Sequence, residues 1–172
     1  MIRLSKLTDY GILLMTQMAR RTERTLYTAR GLAAETKIPL PTVSKILKLL
    51  AAGGLLASHR GVKGGYSLAR LATEITVREI ITVLEGPIGV TECGGAPGAC
   101  EMEPHCPVSA NWRVISGALR QALENVTISD LSFPQQMAAR REALIAAASL
   151  SSATPASATS ALDGDPLERP QL

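Results

Sequence analysis

Apolar residues recur at spacings of three and four in the first part of the chain, and this pattern is typical of amphipathic helices. It predicts a first helix over residues 4–18, which either Ser5 or Thr8 can cap. A polar connector then leads to a second, short helix over residues 28–36, where Thr28 is the expected N-cap. The chain therefore opens with two helices in close succession.

The segment IPLPTVSKILKLLAAGG carries the clearest helical pattern in the sequence. Pro39 and Pro41 stand where a helix begins, because proline lacks the N–H that a first turn leaves unpaired. Gly53 and Gly54 end the helix, since glycine favours the left-handed conformation at a helix C-terminus. One stripe of this helix is apolar and the opposite side is polar and basic. The stripe consists of Val43, Ile46, Leu47 and Leu50.

Two short strands are predicted next, over residues 55–58 and 66–68, around a basic, glycine-rich tip at residues 60–65. Together they form a small hairpin, or wing. A further helix is expected over residues 76–84, with Thr76 as its cap.

Helical periodicity fails between residues 86 and 107, where Gly, Pro, Cys and Glu dominate. A loop of this length in a compact domain has a function or is disordered. A long helix resumes at residue 108 with an apolar stripe, and a stripe on a peripheral helix needs a partner surface. A second copy of the chain supplies that surface most simply, so a homodimer is expected. The stripe consists of Trp112, Ile115, Leu119, Leu123 and Val126.

The expected organisation is thus a winged helix-turn-helix domain over residues 1–85, a cysteine-bearing loop over 86–107, a dimerisation helix over 108–130 and a tail over 131–172. The tail is rich in Ser, Ala, Thr and Pro and shows no packing pattern, so disorder is expected there. The predicted fold class is mainly α with a small β-hairpin wing.

Composition narrows the class of protein. Aromatic residues are 3% of the chain against 46% hydrophobic residues, so the core must be aliphatic, which favours helices packed on helices. No stretch approaches the roughly 18 apolar residues that a membrane span needs. The N-terminus has no secretory signal pattern either. These features lead us to expect a cytoplasmic protein with no membrane partner.

Positive charge is concentrated in the first part of the chain. Residues 1–70 hold 12 Lys and Arg against three Asp and Glu, a balance of +9, whereas the whole chain carries +3. The remaining residues therefore carry −6. A positive field of this kind suits a polyanion partner such as DNA, although on charge alone a solvated face explains it equally well.

The helix pair and the wing together predict a surface for double-stranded DNA. The second helix of a helix-turn-helix enters the major groove, where side chains of the third predicted helix would reach base edges or a phosphate. Wing glycines let the backbone approach a phosphate or the minor groove. Alone, the helix pair could be an ordinary helical hairpin, but the wing and the charge favour DNA binding. The expected contact residues are Thr28, Leu40, Pro41, Thr42, Ser44, Lys45, Lys48, Arg60, Gly61, Lys63, Gly64, Gly65 and Tyr66.

Three cysteines, Cys93, Cys100 and Cys106, lie close together in the segment TECGGAPGACEMEPHCPV. An odd number within one short segment of a cytoplasmic protein indicates metal or redox chemistry rather than a disulfide framework. Three thiolates around a metal centre leave a position for a fourth ligand. The spacing is wider than in the C-x2-C knuckles of structural zinc sites. The pattern by itself leaves an iron-sulfur cluster, zinc and a thiol switch open.

In their order and spacing, these motifs resemble the winged-helix regulators typified by IscR and NsrR, most closely the subgroup that regulates the SUF iron-sulfur assembly system. The similarity runs from about residue 1 to 130 and includes LSKLTDYG, LPTVSKILKLL, RGVKGGYSLAR, ITVLEGP, the three cysteines and the Trp-bearing helix. The resemblance implies a homodimer in which the long helix crosses its partner. It also implies an iron-sulfur cluster on the three cysteines, [2Fe-2S] rather than [4Fe-4S], that changes which operators are bound.

The fourth ligand departs from the IscR pattern. The histidine that follows the third cysteine by three residues in IscR is Ser109 here. In NsrR-like members an aspartate in the first helix of the other subunit completes the site, and Asp9 occupies that kind of position. The resemblance therefore implies Asp9 first, then His105, then Ser109 or an exogenous thiol or water. An acid in a first helical turn is equally favourable through the helix dipole alone.

The expected function is that of a sequence-specific, DNA-binding transcriptional regulator controlled by an iron-sulfur cluster and acting on SUF-type iron-sulfur assembly genes. The alternatives are a nitric-oxide-sensing or redox-sensing repressor of the same family and a constitutive, zinc-stabilised DNA-binding protein. The sequence contains no nucleophile–base pair, phosphate loop or dinucleotide fingerprint. Neither an enzyme nor a small-molecule substrate is therefore expected.

Overall fold

The computed structural model describes residues 3–21, 25–61 and 64–133, together with residues 135, 138, 139 and 142. The described residues from 3 to 135 belong to one compact unit. The described part is mainly helical with one two-stranded antiparallel hairpin, which confirms the predicted fold class. Its elements are α1 (Lys6–Ala19), α2 (Ala29–Thr36), α3 (Leu40–Ala52), β1 (Leu56–His59), β2 (Gly65–Leu68), α4 (Val77–Glu85), α5 (Glu92–Gly95), a 3-10 helix (Glu103–His105), α6 (Ser109–Glu124) and α7 (Ile128–Ser132).

The helix starts follow the caps that the sequence predicts. Ser5, Thr28 and Thr76 each accept a backbone N–H of the following first turn through the side-chain hydroxyl. At Thr76 the cap is reciprocal, because the carboxylate of Glu79 accepts the backbone N–H of Thr76 at 2.9 Å. Such caps satisfy N–H groups that have no partner within the helix, and each stabilises its helix by about 1 kcal/mol.

The core is aliphatic and centres on α3, which packs against α1, α2 and α4. All four residues of the predicted α3 stripe are fully buried. The close approach of α1 to α4 depends on Gly11, because a Cβ at that position would overlap the side chain of Leu84. Gly53 plays the same part between α3 and α4, where a Cβ would overlap Val83.

The turn between α2 and α3 is tight and contains a residue in an unusual conformation. Lys37, the C-cap of α2, has φ 61° and ψ 17°, in the left-handed region that favours glycine. Ile38 follows immediately and is buried in the core, so the turn is anchored by an apolar side chain. This pair sets the direction in which α3 leaves α2.

The helix expected over residues 108–130 is in fact two helices. α6 ends at Glu124. Val126 lies outside any helix, and its carbonyl oxygen accepts the backbone N–H of Val77 at the start of α4, at 2.9 Å. Thr127 then caps α7 in a reciprocal box with Asp130. Because a capping threonine favours extended backbone at its own position, the chain cannot continue as one helix there.

α7 returns to the core, since Ile128 is fully buried and the hydroxyl of Ser132 donates to the carbonyl oxygen of Thr16 at 3.2 Å. Residues 131 and 132, which the sequence placed in the tail, therefore belong to an ordered helix. Most of the remaining tail lies outside the described residues.

Candidate DNA-binding surface and cysteine loop

α3 presents its charged side away from the core. Lys45 and Lys48 are exposed, while Thr42 and Ser44 on neighbouring positions are half-buried. Among the described residues no carboxylate pairs with either lysine. Their ammonium groups therefore remain available to DNA phosphates or base edges, as the helix-turn-helix arrangement requires.

The start of α3 is also open. Pro39 is its N-cap residue and makes no side-chain capping hydrogen bond, and Pro41 lies in the first turn. An uncapped helix N-terminus presents free N–H groups and a partial positive charge, which suit a phosphate oxygen. Leu40 is 39% exposed at this end, a position from which an apolar side chain can contact a thymine methyl group.

The wing is a short hairpin whose register pairs Leu56 with Leu68 and His59 with Gly65. Its tip turns at Gly61, which has φ +115°, and the backbone N–H of Gly64 donates to the carbonyl oxygen of Gly61 at 2.9 Å. A side chain at Gly64 would overlap neighbouring backbone, so only glycine fits this turn. The tip therefore lets backbone come close to a surface such as DNA.

The predicted contact residues that the structure describes lie in three elements: the start of α2, α3 and the wing. Lys63 lies outside the described residues, so its placement stays a prediction. Exposed members of the predicted set are Thr28, Leu40, Pro41, Lys45, Lys48, Arg60 and Gly61, and half-buried members are Thr42, Ser44, Gly64, Gly65 and Tyr66.

Thr28 has a structural task besides its predicted contact with DNA. Its side-chain oxygen accepts the backbone N–H of Gly31 at 3.0 Å and so caps α2. That hydrogen bond uses the oxygen as an acceptor, and the hydroxyl hydrogen stays free to donate to a phosphate. A single residue can thus orient α2 and contact the DNA backbone.

The segment predicted as a cysteine-bearing loop is partly helical. Cys93 lies in α5 and is only 7% exposed, with its Sγ 3.3 Å from the hydroxyl oxygen of Thr91. Cys100 and Cys106 are half-buried and line a single open cavity of about 680 Å³, together with Ser109. All three cysteines are free thiols.

A second cavity, of about 360 Å³, holds Cys93, and Arg113 lines both cavities. The three thiols are thus in adjacent spaces. Within the residues that the structure describes, no three His, Cys, Asp or Glu side chains are already gathered around one metal position.

The donor set fits an iron-sulfur cluster in its chemistry, because three free thiols within 14 residues supply the soft ligands that iron-sulfur centres take. Two of the thiols already share one cavity. Cys100 and Cys106 are joined through a turn and the 3-10 helix, with backbone hydrogen bonds from Glu103 to Cys100 and from Cys106 to Glu103.

The candidates for a fourth ligand are placed differently. Asp9 is exposed in the first turn of α1, and His105 is exposed in the 3-10 helix. Neither lines the cavity that Cys100 and Cys106 share, whereas Ser109 does and is buried. Within one chain the geometry therefore favours Ser109 over His105, and a role for Asp9 requires a second copy of the chain.

Sequence reasoning missed the residues that hold the cysteine segment against α6. The hydroxyl of Ser116 accepts the backbone N–H of Val90 at 3.1 Å. One guanidinium nitrogen of Arg120 donates to the carbonyl oxygens of Ile88 and Gly94 at 2.9 and 2.8 Å. No motif marks these residues, because their partners are backbone atoms distant in the chain.

A further ion pair ties the later part of the cysteine segment to α6. Arg113 contacts the carboxylate of Glu103 at 3.0 Å, and the same carboxylate accepts the backbone N–H of Gly98 at 2.8 Å. The side chain of Glu103 is mostly buried, whereas the side chain of Arg113 is about half exposed. The pair fixes the stretch between Cys100 and Cys106 relative to the helix.

The outer face of α6 carries apolar side chains without full cover in one chain. Val114 and Ile115 are 73% and 46% exposed, and Trp112, Leu119 and Leu123 of the predicted stripe are half-buried. The buried α6 positions are instead two serines on the side of the cysteine segment, Ser109 and Ser116. In the described part of the chain, no helix combines the length and hydropathy needed to cross a membrane.

The helix-turn-helix, the wing and the unpaired lysines define a winged-helix DNA-binding protein. The sequence model of the Rrf2 family, described as "Iron-dependent Transcriptional regulator", matches residues 4–133. The chain belongs to the Rrf2 family. It is accordingly a helix-turn-helix transcriptional regulator and not an enzyme.

Individual relatives agree with this assignment. Rv1287 of Mycobacterium tuberculosis, described as an HTH-type transcriptional regulator, is 30% identical over 131 residues, which cover 76% of this chain and 81% of that protein. The HTH-type transcriptional regulator IscR of Cronobacter sakazakii is 29% identical over 136 residues, covering 79% and 83% respectively. Among solved structures, CymR, the global cysteine regulator of B. subtilis, has a TM-score of 0.60 and 26% identity, covering 77% of this chain and 97% of that one.

Proposed function

We propose that this regulator controls transcription through an iron-sulfur cluster held by Cys93, Cys100 and Cys106, and that it acts on SUF-type iron-sulfur assembly genes. The observation that carries the proposal is the cysteine segment itself. Three free thiols lie within it, and it is fastened along α6 beside a winged-helix domain. The description of the family as iron-dependent supports iron as the metal.

The thiols are the cluster ligands in this proposal, and the fourth ligand is Asp9 from a second copy of the chain. When bound, the cluster would join the three thiolates and make the site responsive to oxidants and nitric oxide. The chain's own part is to hold the cysteine segment and to exclude water around Cys93, which is buried.

Packing supplies a route from the cysteine segment to the DNA-binding surface. The segment lies on α6, and α6 joins α4 through the ion pair of Arg78 with Glu124 at 3.0 Å. α4 in turn packs closely on the end of α3, where Gly53 meets Val83. A change in the cysteine segment can therefore alter the position of α3 through two helix contacts.

We propose a homodimer as the DNA-binding form, with the exposed apolar face of α6 as its interface. Val114 and Ile115 would be covered by the second copy, which explains why they are exposed in one chain. In a symmetric dimer the two α3 helices would lie about one DNA turn apart, roughly 34 Å. The cysteine segment packs on the same helix through Ser116 and Arg120 and can thereby influence that spacing.

The test is a binding titration by fluorescence anisotropy, with an operator selected from random-sequence DNA by the anaerobic, iron-loaded protein. We expect the iron-loaded and metal-free proteins to differ in affinity for this operator by at least about tenfold, which is 1.4 kcal/mol. Cys100→Ser should bind like the metal-free wild type under both conditions. Equal affinities of the iron-loaded and metal-free proteins would rule out cluster control.

A further inference from the structure

The three cysteines differ in how firmly the structure holds them. Cys93 lies in α5 and is buried, and the backbone on either side of it is bonded to α6. Cys100 and Cys106 are half-buried on an open cavity. One thiol is therefore fixed before any metal binds, and the other two belong to a more accessible stretch.

Arg120 makes the contacts that fix Cys93. Its Nη1 donates to the carbonyl oxygen of Ile88 before α5 and to that of Gly94, the residue after Cys93. Backbone carbonyl groups need a hydrogen-bond donor, and Arg120 supplies one from α6 to each of these two oxygens. Hydrogen bonds from a charged donor are roughly twice as strong as those between neutral groups. Arg120 therefore clamps both ends of the short stretch that carries Cys93.

The charge of Arg120 is also unusual among the arginines of this region. Arg78 and Arg113 are each paired with a carboxylate at 3.0 Å, whereas among the described residues no carboxylate pairs with Arg120. Arg120 and Cys93 line the same cavity. The guanidinium thus places an uncompensated positive charge where thiolate ligands would bring negative charge.

Ser116 completes the clamp one turn earlier in α6. It is fully buried, and its hydroxyl accepts the backbone N–H of Val90. Gly94 lies so close to Ser116 that a Cβ on Gly94 would overlap the serine hydroxyl. α5 can therefore seat on α6 only because the residue after Cys93 is glycine and its neighbour on α6 is small.

We infer that Arg120 and Ser116 are positioning residues that hold Cys93 against α6 in the metal-free protein. The thiol of Cys93 is then the first ligand, already in place, and Cys100 and Cys106 move onto the metal after it. The position of Cys93 in the metal-free protein follows from these contacts alone. The order in which the thiols bind the metal rests on the proposed iron-sulfur function.

The test uses full-length, metal-free protein under anaerobic conditions, alkylated with iodoacetamide and analysed by mass spectrometry at each cysteine. In Arg120→Gln we expect Cys93 to react at least about tenfold faster than in the wild type, because two charged hydrogen bonds that hold it are lost. Cys106 should keep its rate. Arg78→Gln is the matched control, since Arg78 lines the same cavity as Cys93 but its hydrogen bond goes to Glu124 and not to the cysteine segment.

Two further variants separate positioning from general stability. Arg120→Lys keeps the charge and can restore part of the carbonyl contacts, so an intermediate rate at Cys93 is expected. Ser116→Ala should raise the rate at Cys93 by a smaller factor than Arg120→Gln, because only one hydrogen bond is lost. An unchanged rate at Cys93 in Arg120→Gln, or an equal increase at all three cysteines, would overturn the inference.

Iron uptake, measured as iron and sulfide bound after reconstitution with Fe²⁺ and sulfide, tests the role of Cys93 as the first ligand. We expect Arg120→Gln to bind less than half as much iron as the wild type at equal iron supply, and Arg78→Gln to bind as much. Equal uptake by Arg120→Gln and wild type would refute the loading role. If the wild type itself takes up no iron while Cys93 is still released in Arg120→Gln, the iron-sulfur function fails and the positioning of Cys93 stands.

Discussion

The backbones of Tyr27 and Tyr66 exchange two hydrogen bonds, in which the N–H of each residue donates to the carbonyl oxygen of the other at 2.8 Å. The residue just before the cap of α2 is therefore paired with the second strand of the wing. The hydroxyl of Tyr27 also donates to the carbonyl oxygen of Met18 in α1 at 3.1 Å. Tyr27 thus joins the wing to α1 and to the start of α2, in addition to the packing of β1 on α3.

Gly65→Ala should disrupt this pairing. A Cβ at Gly65 would lie 2.6 Å from the carbonyl oxygen of Tyr27, and because the neighbouring atoms are backbone there is little room to relax. We expect the free energy of unfolding to fall by about 1–3 kcal/mol. Operator affinity should fall as well, because the wing shifts. Urea unfolding and anisotropy titrations measure the two effects.

Gly117→Ala is the control for that substitution. A Cβ at Gly117 would meet only the Nη2 of Arg120 at 3.9 Å, an ordinary contact. Because alanine favours helix over glycine, this variant should gain about 0.5–1 kcal/mol of stability. Equal stability of Gly65→Ala and wild type would show that the wing does not depend on the close approach to Tyr27.

Lys37→Gly should stabilise the protein. Lys37 adopts a left-handed conformation that costs a residue with a Cβ about 1–2 kcal/mol, and glycine adopts it freely. Glycine also loses more chain entropy on folding, so the net gain in unfolding free energy should be about 0.5–1 kcal/mol. Lys45→Gly is the matched control, because the same change in the interior of α3 should lower stability by about 1 kcal/mol. Thermal unfolding of both variants checks the opposite signs.

Lys48→Ala should weaken DNA binding without changing sequence preference. Lys48 is exposed on α3 and, in the described part of the chain, pairs with no carboxylate, which suits contact with a phosphate. Loss of one phosphate contact should reduce the slope of log affinity against log salt by about 1. Anisotropy titrations over a salt series measure the slope. Arg78→Ala should leave it unaltered, and a change in base preference in Lys48→Ala would instead indicate a base contact.

Glu85→Gln should make stability less dependent on pH. A hydrogen bond from the Thr8 hydroxyl, joined by the backbone N–H of Ser5 at 2.7 Å, holds the pKa of Glu85 below its usual range and outweighs the opposing effect of burial. A carboxyl whose pKa is lowered in the folded state stabilises it above the unfolded pKa, and this contribution is lost as pH falls through the folded pKa.

The variant should therefore be less stable than wild type at pH 7, by about 1 kcal/mol or less, and the difference should shrink as the pH is lowered towards 3. Urea unfolding at both pH values measures the difference. Glu101→Gln, an exposed carboxyl on the cysteine segment, is the control and should change little at either pH. A difference for Glu85→Gln that persists at low pH would mean that packing, not the charged hydrogen bonds, is responsible.

The helical core and the wing could be predicted because they rest on local signals. The α3 stripe, the caps at Thr28 and Thr76 and the glycine-rich wing tip are each encoded within a few neighbouring residues. The end of α6 was missed, since the apolar spacing continues through Val126 while the cap at Thr127 redirects the chain.

The candidate site was predictable only in part. Free cysteines at close spacing mark a metal or redox segment, but Arg120 and Ser116 act on backbone atoms of residues more than 20 positions away. Such pairings depend on how α6 folds back over the segment, and no local pattern encodes that. The left-handed Lys37 was missed for a related reason, because lysine is not a residue that marks such a turn.

The central claim is that the three cysteines hold an iron-sulfur cluster, and the most direct measurement is iron, sulfide and zinc analysis with a visible absorption spectrum on anaerobically purified protein. Wild type and Cys93→Ala are compared. We expect iron and sulfide in the wild type with a visible charge-transfer band, and loss of both in Cys93→Ala. Stoichiometric zinc in a colourless protein, even after reconstitution with iron and sulfide, would contradict the claim and leave a zinc-stabilised DNA-binding regulator.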